Sequence, residues 1–122
     1  MSFALTERQL VDGSKDVTRR IGWRDLKPGD QVVAVRKAMG LRKGERQVVL
    51  GTIRIVSVTF EPLSNVYCRD GDVRREGFPL MTPAEFVTFF CRANGGTAAR
   101  EVTRIEFVFS PPEPAERKSD GN

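Results

Sequence analysis

The chain has 122 residues, of which 39% are hydrophobic and 30% are charged, and it carries a net charge of +4. These values fit one ordinary globular domain and exclude disordered and fibrous chains. No apolar run is long enough to cross a bilayer and the N-terminus lacks a signal-peptide pattern, so we expect a cytoplasmic protein with no membrane partner.

The first residues predict a short strand, a short helix and a charged loop. Residues 2–5 fit a first strand. Thr6, with Gln9 three residues later, fits a capping box for a helix over Glu7–Val11. The segment 14–23 is dense in charge and has no apolar period, which is typical of a functional loop outside the core.

The middle of the chain predicts two strands and a polar connection. Residues 31–35 fit a buried strand, and residues 48–60 fit one long barrel strand. Between them, residues 39–46 contain glycines among basic residues and predict a loop. The segment 64–77 is polar and predicts irregular structure with one helical turn near residues 73–76.

The C-terminal part predicts the main helix and a closing strand. Thr82 and Glu85 mark a capping box for a helix over residues 83–93. Residues 102–109 alternate as a strand, and residues 110–122 lack an apolar anchor, which predicts a disordered tail.

These elements predict an α+β domain over residues 1–109. It should have two main helices and a mostly antiparallel sheet curled into a small β-barrel. Within the closing strand, Ile105, Phe107 and Phe109 should share one face because side chains alternate along a strand.

The positive charge lies in the first half of the chain. Residues 1–54 contain twelve Lys and Arg against six Asp and Glu, whereas residues 55–109 contain six against seven. A local surplus favours polyanions such as RNA, although it also occurs in proteins that bind none.

The chain has no histidine, and its two cysteines, Cys68 and Cys91, lie in unlike contexts. We therefore expect free, partly buried thiols, no metal site and no cofactor. Any catalysis has to use Lys, Glu, Asp, Ser, Thr, Tyr or Cys side chains.

A basic motif that contains a hydroxyl follows the first predicted helix. After Gly13, the next seven positions hold Lys15, Thr18, Arg19 and Arg20. An ammonium, a hydroxyl and two guanidinium groups this close together can clamp a phosphate or polarise a carbonyl oxygen. The alternative is a solvated basic turn.

This motif resembles the hallmark of ASCH domains, a branch of the PUA-like fold. The resemblance covers about residues 2–109, and small phage and actinobacterial ASCH proteins are especially similar. It rests on five segments in this order: Gly13-x-Lys15-x-x-Thr18-x-Arg20, Lys27-Pro28-Gly29-Asp30, Arg75-Glu76-Gly77-Phe78, Pro83-Ala84-Glu85-Phe86 and Thr103-Arg104-Ile105-Glu106-Phe107.

The resemblance implies a cleft at one end of the barrel that binds RNA or a modified nucleoside. Some ASCH proteins hydrolyse the amide of N4-acetylcytidine, and others are reported as ribonucleases. By this analogy the catalytic residues are Lys15, Thr18 and Glu76. Thr18 attacks the acyl carbon, Lys15 lowers the pKa of the hydroxyl or takes its proton, and Glu76 passes a proton to the leaving amine. Alternatively, Thr18 caps a local amide and Glu76 is a surface partner of Arg74 or Arg75.

Further binding candidates are aromatic and basic side chains. Trp23, Tyr67 and Phe78 can stack on a base, although a lone tryptophan also fits the core. A second basic group, Arg36, Lys37, Arg42, Lys43 and Arg46, can follow a phosphate backbone or only solubilise the surface. The predicted nucleic-acid or nucleotide contacts are Arg19, Arg20, Trp23, Lys37, Arg42, Lys43, Tyr67 and Arg75. The other phenylalanines fit buried faces and are assigned to packing: Phe60, Phe86, Phe89, Phe90, Phe107 and Phe109.

The sequence leaves several functions open. The first is a binding domain for RNA or a modified nucleoside, and the second is a metal-independent amidohydrolase that acts on N4-acylated cytidine. There are two further alternatives. One is a ribonuclease, and the other is a phage protein-interaction factor that uses the barrel as a scaffold. The oligomeric state is open, and a monomer is the starting assumption.

Overall fold

Four strands form one antiparallel sheet in the computed structural model, which describes residues 1–37 and 40–112. The strands are β1 (Val17–Arg20), β2 (Gln31–Val35), β3 (Val49–Pro62) and β4 (Glu101–Ser110), in the spatial order β1-β4-β3-β2. The helices are α1 (Glu7–Asp12), α2 (Asp72–Arg75) and α3 (Pro83–Asn94), with a 3-10 helix over Leu63–Cys68. The prediction of an α+β fold with an antiparallel sheet is confirmed. Closure into a barrel is not shown, because the sheet is open with β1 and β2 at its edges.

β3 is the strand that joins the two halves of the sheet. Its first residues pair with β2, and most of its length pairs with β4. Ile53 and Ile55 are fully buried, and a bulge between Ile55 and Ser57 shifts the register. The predicted long strand is therefore confirmed and runs to Pro62.

β1 corrects the sequence prediction, since the charged segment after α1 contains a strand. β1 pairs with β4 in antiparallel register, with Val17 opposite Glu106. Three of its four residues are buried, and two of these, Thr18 and Arg19, are polar. Ion pairs hold Arg19 and a hydrogen bond holds Thr18, so these polar side chains are buried in a strand that carries no apolar period.

The N-terminal residues lie beside β2 and reach towards β1. The predicted first strand is reduced to one parallel bridge between Ser2 and Val35. The carbonyl oxygen of Ser2 also accepts a hydrogen bond from the Arg20 side chain at the other edge of the sheet. Thr6 precedes α1, but its side chain makes no capping bond, so the predicted capping box with Gln9 does not form.

α3 begins as the sequence predicts. The side chain of Thr82 accepts from the Glu85 amide, and the Glu85 side chain accepts from the Thr82 amide. One apolar cluster lies around the sheet and α1, and a second lies between α3 and the 3-10 helix. The first contains Phe3, Leu10, Ile53, Ile55, Ile105 and Phe107, and the second contains Leu63, Val66, Phe86, Phe90 and Val102. Phe109 packs against the first cluster, so the predicted shared face of β4 is confirmed.

The connections match the predictions in part. Residues 40–46 form neither helix nor strand, as predicted, while residues 38–39 lie outside the described part. The polar segment 64–77 is more ordered than predicted, since it holds most of the 3-10 helix as well as α2. Of the predicted tail, Ser110 ends β4 and residues 113–122 are not among those described.

Two smaller predictions concern the thiols and the membrane. Cys68 is exposed and Cys91 is partly buried, and both are free. In the described part of the chain, no helix has the length and apolar character needed to cross a bilayer.

Candidate functional site

A cleft of about 400 Å³ lies between the β1 segment and α3. Two sets of side chains line it. We use the term polar lining for Lys15, Thr18, Arg19, Arg20 and Glu76; Ser2, Thr6 and Asn94 also border the cleft. The aromatic lining consists of Phe78, Phe86, Phe89 and Phe90, with Phe3 and Trp23 from the N-terminal part. All three predicted catalytic residues therefore line one cleft.

Lys15 is a buried ammonium group with three acceptors. Its Nζ donates to the carbonyl oxygens of Val17 at 2.8 Å and Glu76 at 2.7 Å, and to Glu76 Oε1 at 3.4 Å. Burial lowers the pKa of Lys15 to about 8; the Glu76 carboxylate opposes this shift, and the positive charge of Arg20 adds to it. Lys15 thus holds Glu76 in position, and its proton is weakly held for a lysine.

Glu76 follows α2 and is 3% exposed. Its Oε2 accepts from Arg19 Nη1 at 2.9 Å, while Oε1 lies against Lys15. The alternative of a surface pair with Arg74 or Arg75 is therefore not the arrangement seen. Both carboxylate oxygens are held by buried cations, so the orientation of the carboxylate is fixed.

Arg19 lines the cleft but is engaged on its inner side. Its Nη2 donates to Asp72 and to Glu61 Oε2, the latter at 3.4 Å, in addition to the Glu76 bond. Arg19 Nε is buried and has no partner in the described part of the chain. With three carboxylates around it, Arg19 positions Glu76. Its predicted contact to nucleic acid stays a prediction.

Asp72 extends this arrangement to β4. Arg104 Nη2 donates to Asp72 Oδ1 at 2.8 Å, and Arg104 Nε donates to Oδ2 at 3.0 Å. Burial raises the pKa of Asp72, but the bonds and charges of Arg104 and Arg19 outweigh burial and hold that pKa below its ordinary value. The bond to Asp72 likewise raises the pKa of Arg104.

These residues form what we term the ionic cluster: Lys15, Arg19, Glu61, Asp72, Glu76 and Arg104. Each is at most 4% exposed, and together they carry three positive and three negative charges. Sequence reasoning did not include Glu61, Asp72 or Arg104 in the site. The signal that was available is a charged residue within the predicted strand 102–109. In the structure Arg104 lies in the run 102–105 of β4, in which every residue is buried.

Thr18 and Arg20 form a second polar contact in the cleft. Thr18 Oγ1 accepts from Arg20 Nε at 3.0 Å, so its own hydrogen stays available for a ligand. Arg20 Nη2 donates to the carbonyl oxygen of Ser2 at 2.6 Å, and its guanidinium lies 4.9 Å from the centre of the Phe3 ring. Burial lowers the pKa of Arg20.

Trp23 has an unusual backbone conformation where it lines the cleft. Its φ of +56° is the one positive value at a residue other than glycine in the described part of the chain. Trp23 is 41% exposed and follows Gly22, whose carbonyl oxygen accepts from Thr103 Oγ1. A strained backbone conformation persists only where the surrounding structure holds it, and such conformations are concentrated at ligand sites.

The α3 phenylalanines have two roles. Phe86 and Phe90 are buried in the second apolar cluster, as the sequence predicted, and both also line the cleft. Phe89 lines the cleft as well, with its ring centre 5.2 Å from that of Phe78. Their assignment to packing alone is therefore incomplete.

The other predicted contacts lie outside this cleft. Tyr67 is on the 3-10 helix and 52% exposed. Arg75 pairs with Asp16 at 2.8 Å and Glu106 at 3.3 Å. Three basic residues lie in or next to the connection between β2 and β3 and also do not line the cleft: Lys37, Arg42 and Lys43.

Comparison with known proteins identifies the fold. No family model and no curated protein matches the sequence of this chain. Among solved structures, the fold is similar to the crystal structure of protein EF3133 from Enterococcus faecalis V583, described by the family model DUF984. The TM-score is 0.59 at 14% identity, over 87% of this chain and 70% of that chain. At this identity, the similarity concerns the fold alone.

Proposed function

We propose that the cleft binds a modified nucleoside, with its base stacked on the aromatic lining and its polar groups bonded to the polar lining. The observation that carries this proposal is the presence of both linings in one cavity of about 400 Å³. Cavities of about 300–1,000 Å³ with apolar walls and a few convergent polar groups are typical of small-molecule sites. Each base stacked on a ring gains about 1–3 kcal/mol.

A nucleoside fits these observations better than an RNA strand does. An RNA strand needs basic side chains that continue from the site along its phosphates. Lys37, Arg42 and Lys43 do not line the cleft, and Lys37 lies 3.8 Å from Glu45. The basic residues that line the cleft are those of the polar lining itself.

Membership of the ASCH family and a PUA-like barrel belong to the same proposal. In support, the motif residues Lys15, Thr18 and Arg20 line the cleft together with Glu76. The contact from Arg20 to Ser2 also bridges the gap between the two edges of the sheet, where a barrel would close.

Fluorescence of Trp23, the single tryptophan, tests the binding proposal. N4-acetylcytidine and cytidine are titrated into the protein, and we expect saturable quenching. Phe89→Ala should weaken binding by about 1–3 kcal/mol, because it removes a ring of the aromatic lining. Tyr67→Ala is the matched control, since Tyr67 lies outside the cleft and should leave affinity unchanged. Unsaturable or absent quenching at millimolar nucleoside would contradict the proposal.

Amide hydrolysis is the second candidate, favoured by the buried contact between Lys15 and Glu76 in the cleft that Thr18 also lines. With a pKa of about 8, about a tenth of Lys15 is neutral at pH 7 and can accept the Thr18 proton. Thr18 Oγ1 then bonds to the acyl carbon and the C–N bond breaks. The proton that Lys15 took from Thr18 passes through the Glu76 carboxylate, which Lys15 contacts, to the leaving amine. Water hydrolyses the Thr18 ester and releases the carboxylic acid.

Chromatography of N4-acetylcytidine incubated with the protein tests this candidate. Thr18→Val should abolish cytidine formation while Trp23 quenching persists, because the nucleophile is lost and the cleft keeps its shape. Cytidine formation by Thr18→Val at the wild-type rate would exclude Thr18 as nucleophile. Absence of product with wild-type protein would leave binding as the function.

A further inference from the structure

Arg20 is a partly buried cation without a carboxylate partner in the described part of the chain. In that part, its guanidinium makes two hydrogen bonds and one ring contact, all with neutral groups: Thr18 Oγ1, the Ser2 carbonyl oxygen and the Phe3 ring. By contrast, the other arginine of the polar lining, Arg19, contacts three carboxylates. Arg20 therefore differs in its charge balance from its neighbour in β1.

The ionic cluster does not offset the charge of Arg20. Its three carboxylates match its own three cations, so Arg20 adds one uncompensated positive charge to the cleft. The negative charge of Glu76 attracts Arg20. However, the two carboxylate oxygens of Glu76 are already bonded to Lys15 and Arg19. A charge withdrawn from water without a counter-charge is unfavourable, and a bound anion removes that cost.

The guanidinium is also placed to bind a ligand. Nε and Nη2 are held by Thr18 and Ser2, which fixes the plane of the group. Nη1 makes no hydrogen bond in the described part of the chain and is not among the fully buried unpartnered atoms there, and Arg20 lines the cleft. A planar guanidinium of fixed orientation is well suited to a carboxylate or phosphate oxygen.

We propose that Arg20 binds an oxyanion of the ligand, so that the cleft takes a nucleoside carrying a phosphate or carboxylate in preference to the neutral nucleoside. The nucleoside part rests on the proposed function, whereas the anion contact rests on Arg20 alone. A charge-assisted bond of this kind should strengthen binding of the anionic form by about tenfold or more.

Calorimetric titration with cytidine and cytidine 5′-monophosphate tests the preference. Wild-type protein should bind the monophosphate about tenfold more tightly, and Arg20→Gln should reduce the ratio of the two affinities to near one. Arg24→Gln is the matched control, because Arg24 is exposed and already paired with Glu101. Arg20→Lys keeps the charge without the fork and should retain part of the preference. Equal affinities in wild-type protein, or an unchanged ratio in Arg20→Gln, would overturn the inference.

A second measurement separates the anion contact from nucleoside recognition. Inorganic phosphate and acetate are titrated separately, with chloride as the ionic-strength control, and the Nε–H resonance of Arg20 is followed by NMR. The resonance is assigned by its loss in Arg20→Gln, and circular dichroism verifies the fold of that variant. A saturable shift with phosphate or acetate supports the inference and tells which oxyanion is preferred. If the resonance shifts with an anion but nucleosides do not bind, the proposed function is contradicted and the anion site is supported. If nucleosides bind but neither anion shifts the resonance, the inference falls and the proposed function stands.

Discussion

Replacing Asp72 by asparagine tests whether the ionic cluster holds α2 against the sheet. Asp72 is 2% exposed and accepts bonds from Arg104 and Arg19, which lie in β4 and β1. Asparagine has nearly the same shape but no charge, so both guanidinium groups lose their shared counter-charge. Removing one partner of a buried ion pair costs about 3–5 kcal/mol. Domains of this size have a total free energy of unfolding of about 5–15 kcal/mol.

Urea denaturation followed by circular dichroism measures this cost. With a slope of about 2 kcal/mol per molar urea, the midpoint of Asp72→Asn should fall by about 2 M. Glu101→Gln is the control, because its pair with Arg24 is exposed and contributes at most about 1 kcal/mol. A loss in Asp72→Asn no larger than that in Glu101→Gln would refute the reasoning.

The same variant has a defined pH dependence. The pKa of Asp72 is lower in the folded protein than its ordinary value of 3.8. Its stabilisation is therefore present above that pH and is lost as the pH falls through the folded-state pKa. The difference in unfolding free energy between wild-type protein and Asp72→Asn should narrow as the pH falls below 3.8.

Three further predictions concern stability. The pKa of Lys15 is lowered from 10.5 to about 8, so the unfolded chain binds more protons between these values. Wild-type protein should therefore gain stability relative to Lys15→Met as the pH rises from about 8 to 10.5, measured by urea denaturation at a series of pH values. Parallel pH profiles of the two proteins would contradict the lowered pKa of Lys15. Gly51→Ala should cost at least about 2 kcal/mol, because its Cβ would overlap the carbonyl oxygen of Ser110 at a φ of +153°. Gly44→Ala, where nothing lies within 4 Å, should cost about 1 kcal/mol from its positive φ alone, and equal urea midpoints for the two variants would count against the clash. Thr82→Ala should cost about 1 kcal/mol by thermal denaturation through loss of the capping box, and an unchanged melting temperature would argue against it.

Local sequence signals were sufficient for most of the fold. α3 was predictable because Thr82 and Glu85 define its start within four residues. β1 was not, because its buried Arg19 is paired with carboxylates at positions 61, 72 and 76. Periodicity in a short window cannot detect partners that lie 42 or more residues away. A buried strand with charged residues therefore has the local pattern of an exposed loop.

The candidate site was predictable where a motif carried it. Lys15, Thr18 and Glu76 line one cleft, although their roles stay predictions. The phenylalanines of α3 were not expected there, because helical periodicity identifies a buried ring such as Phe86 but not whether it also borders a cavity. Tyr67 was predicted as a stacking residue from its aromatic ring alone. It is exposed on the 3-10 helix and does not line the cleft.

The pairing of β1 with β4 has a consequence for how the protein folds. Val17 pairs with Glu106, so the first strand of the sheet acquires its neighbour only after nearly all of the described chain has been synthesised. Contacts between such distant residues close a long loop and slow the folding of a domain. Until β4 pairs with the sheet, Asp72 lacks its contact with Arg104 and the ionic cluster carries an excess negative charge. We therefore expect the cleft to form in one late, cooperative step, with no partly folded intermediate that holds a ligand.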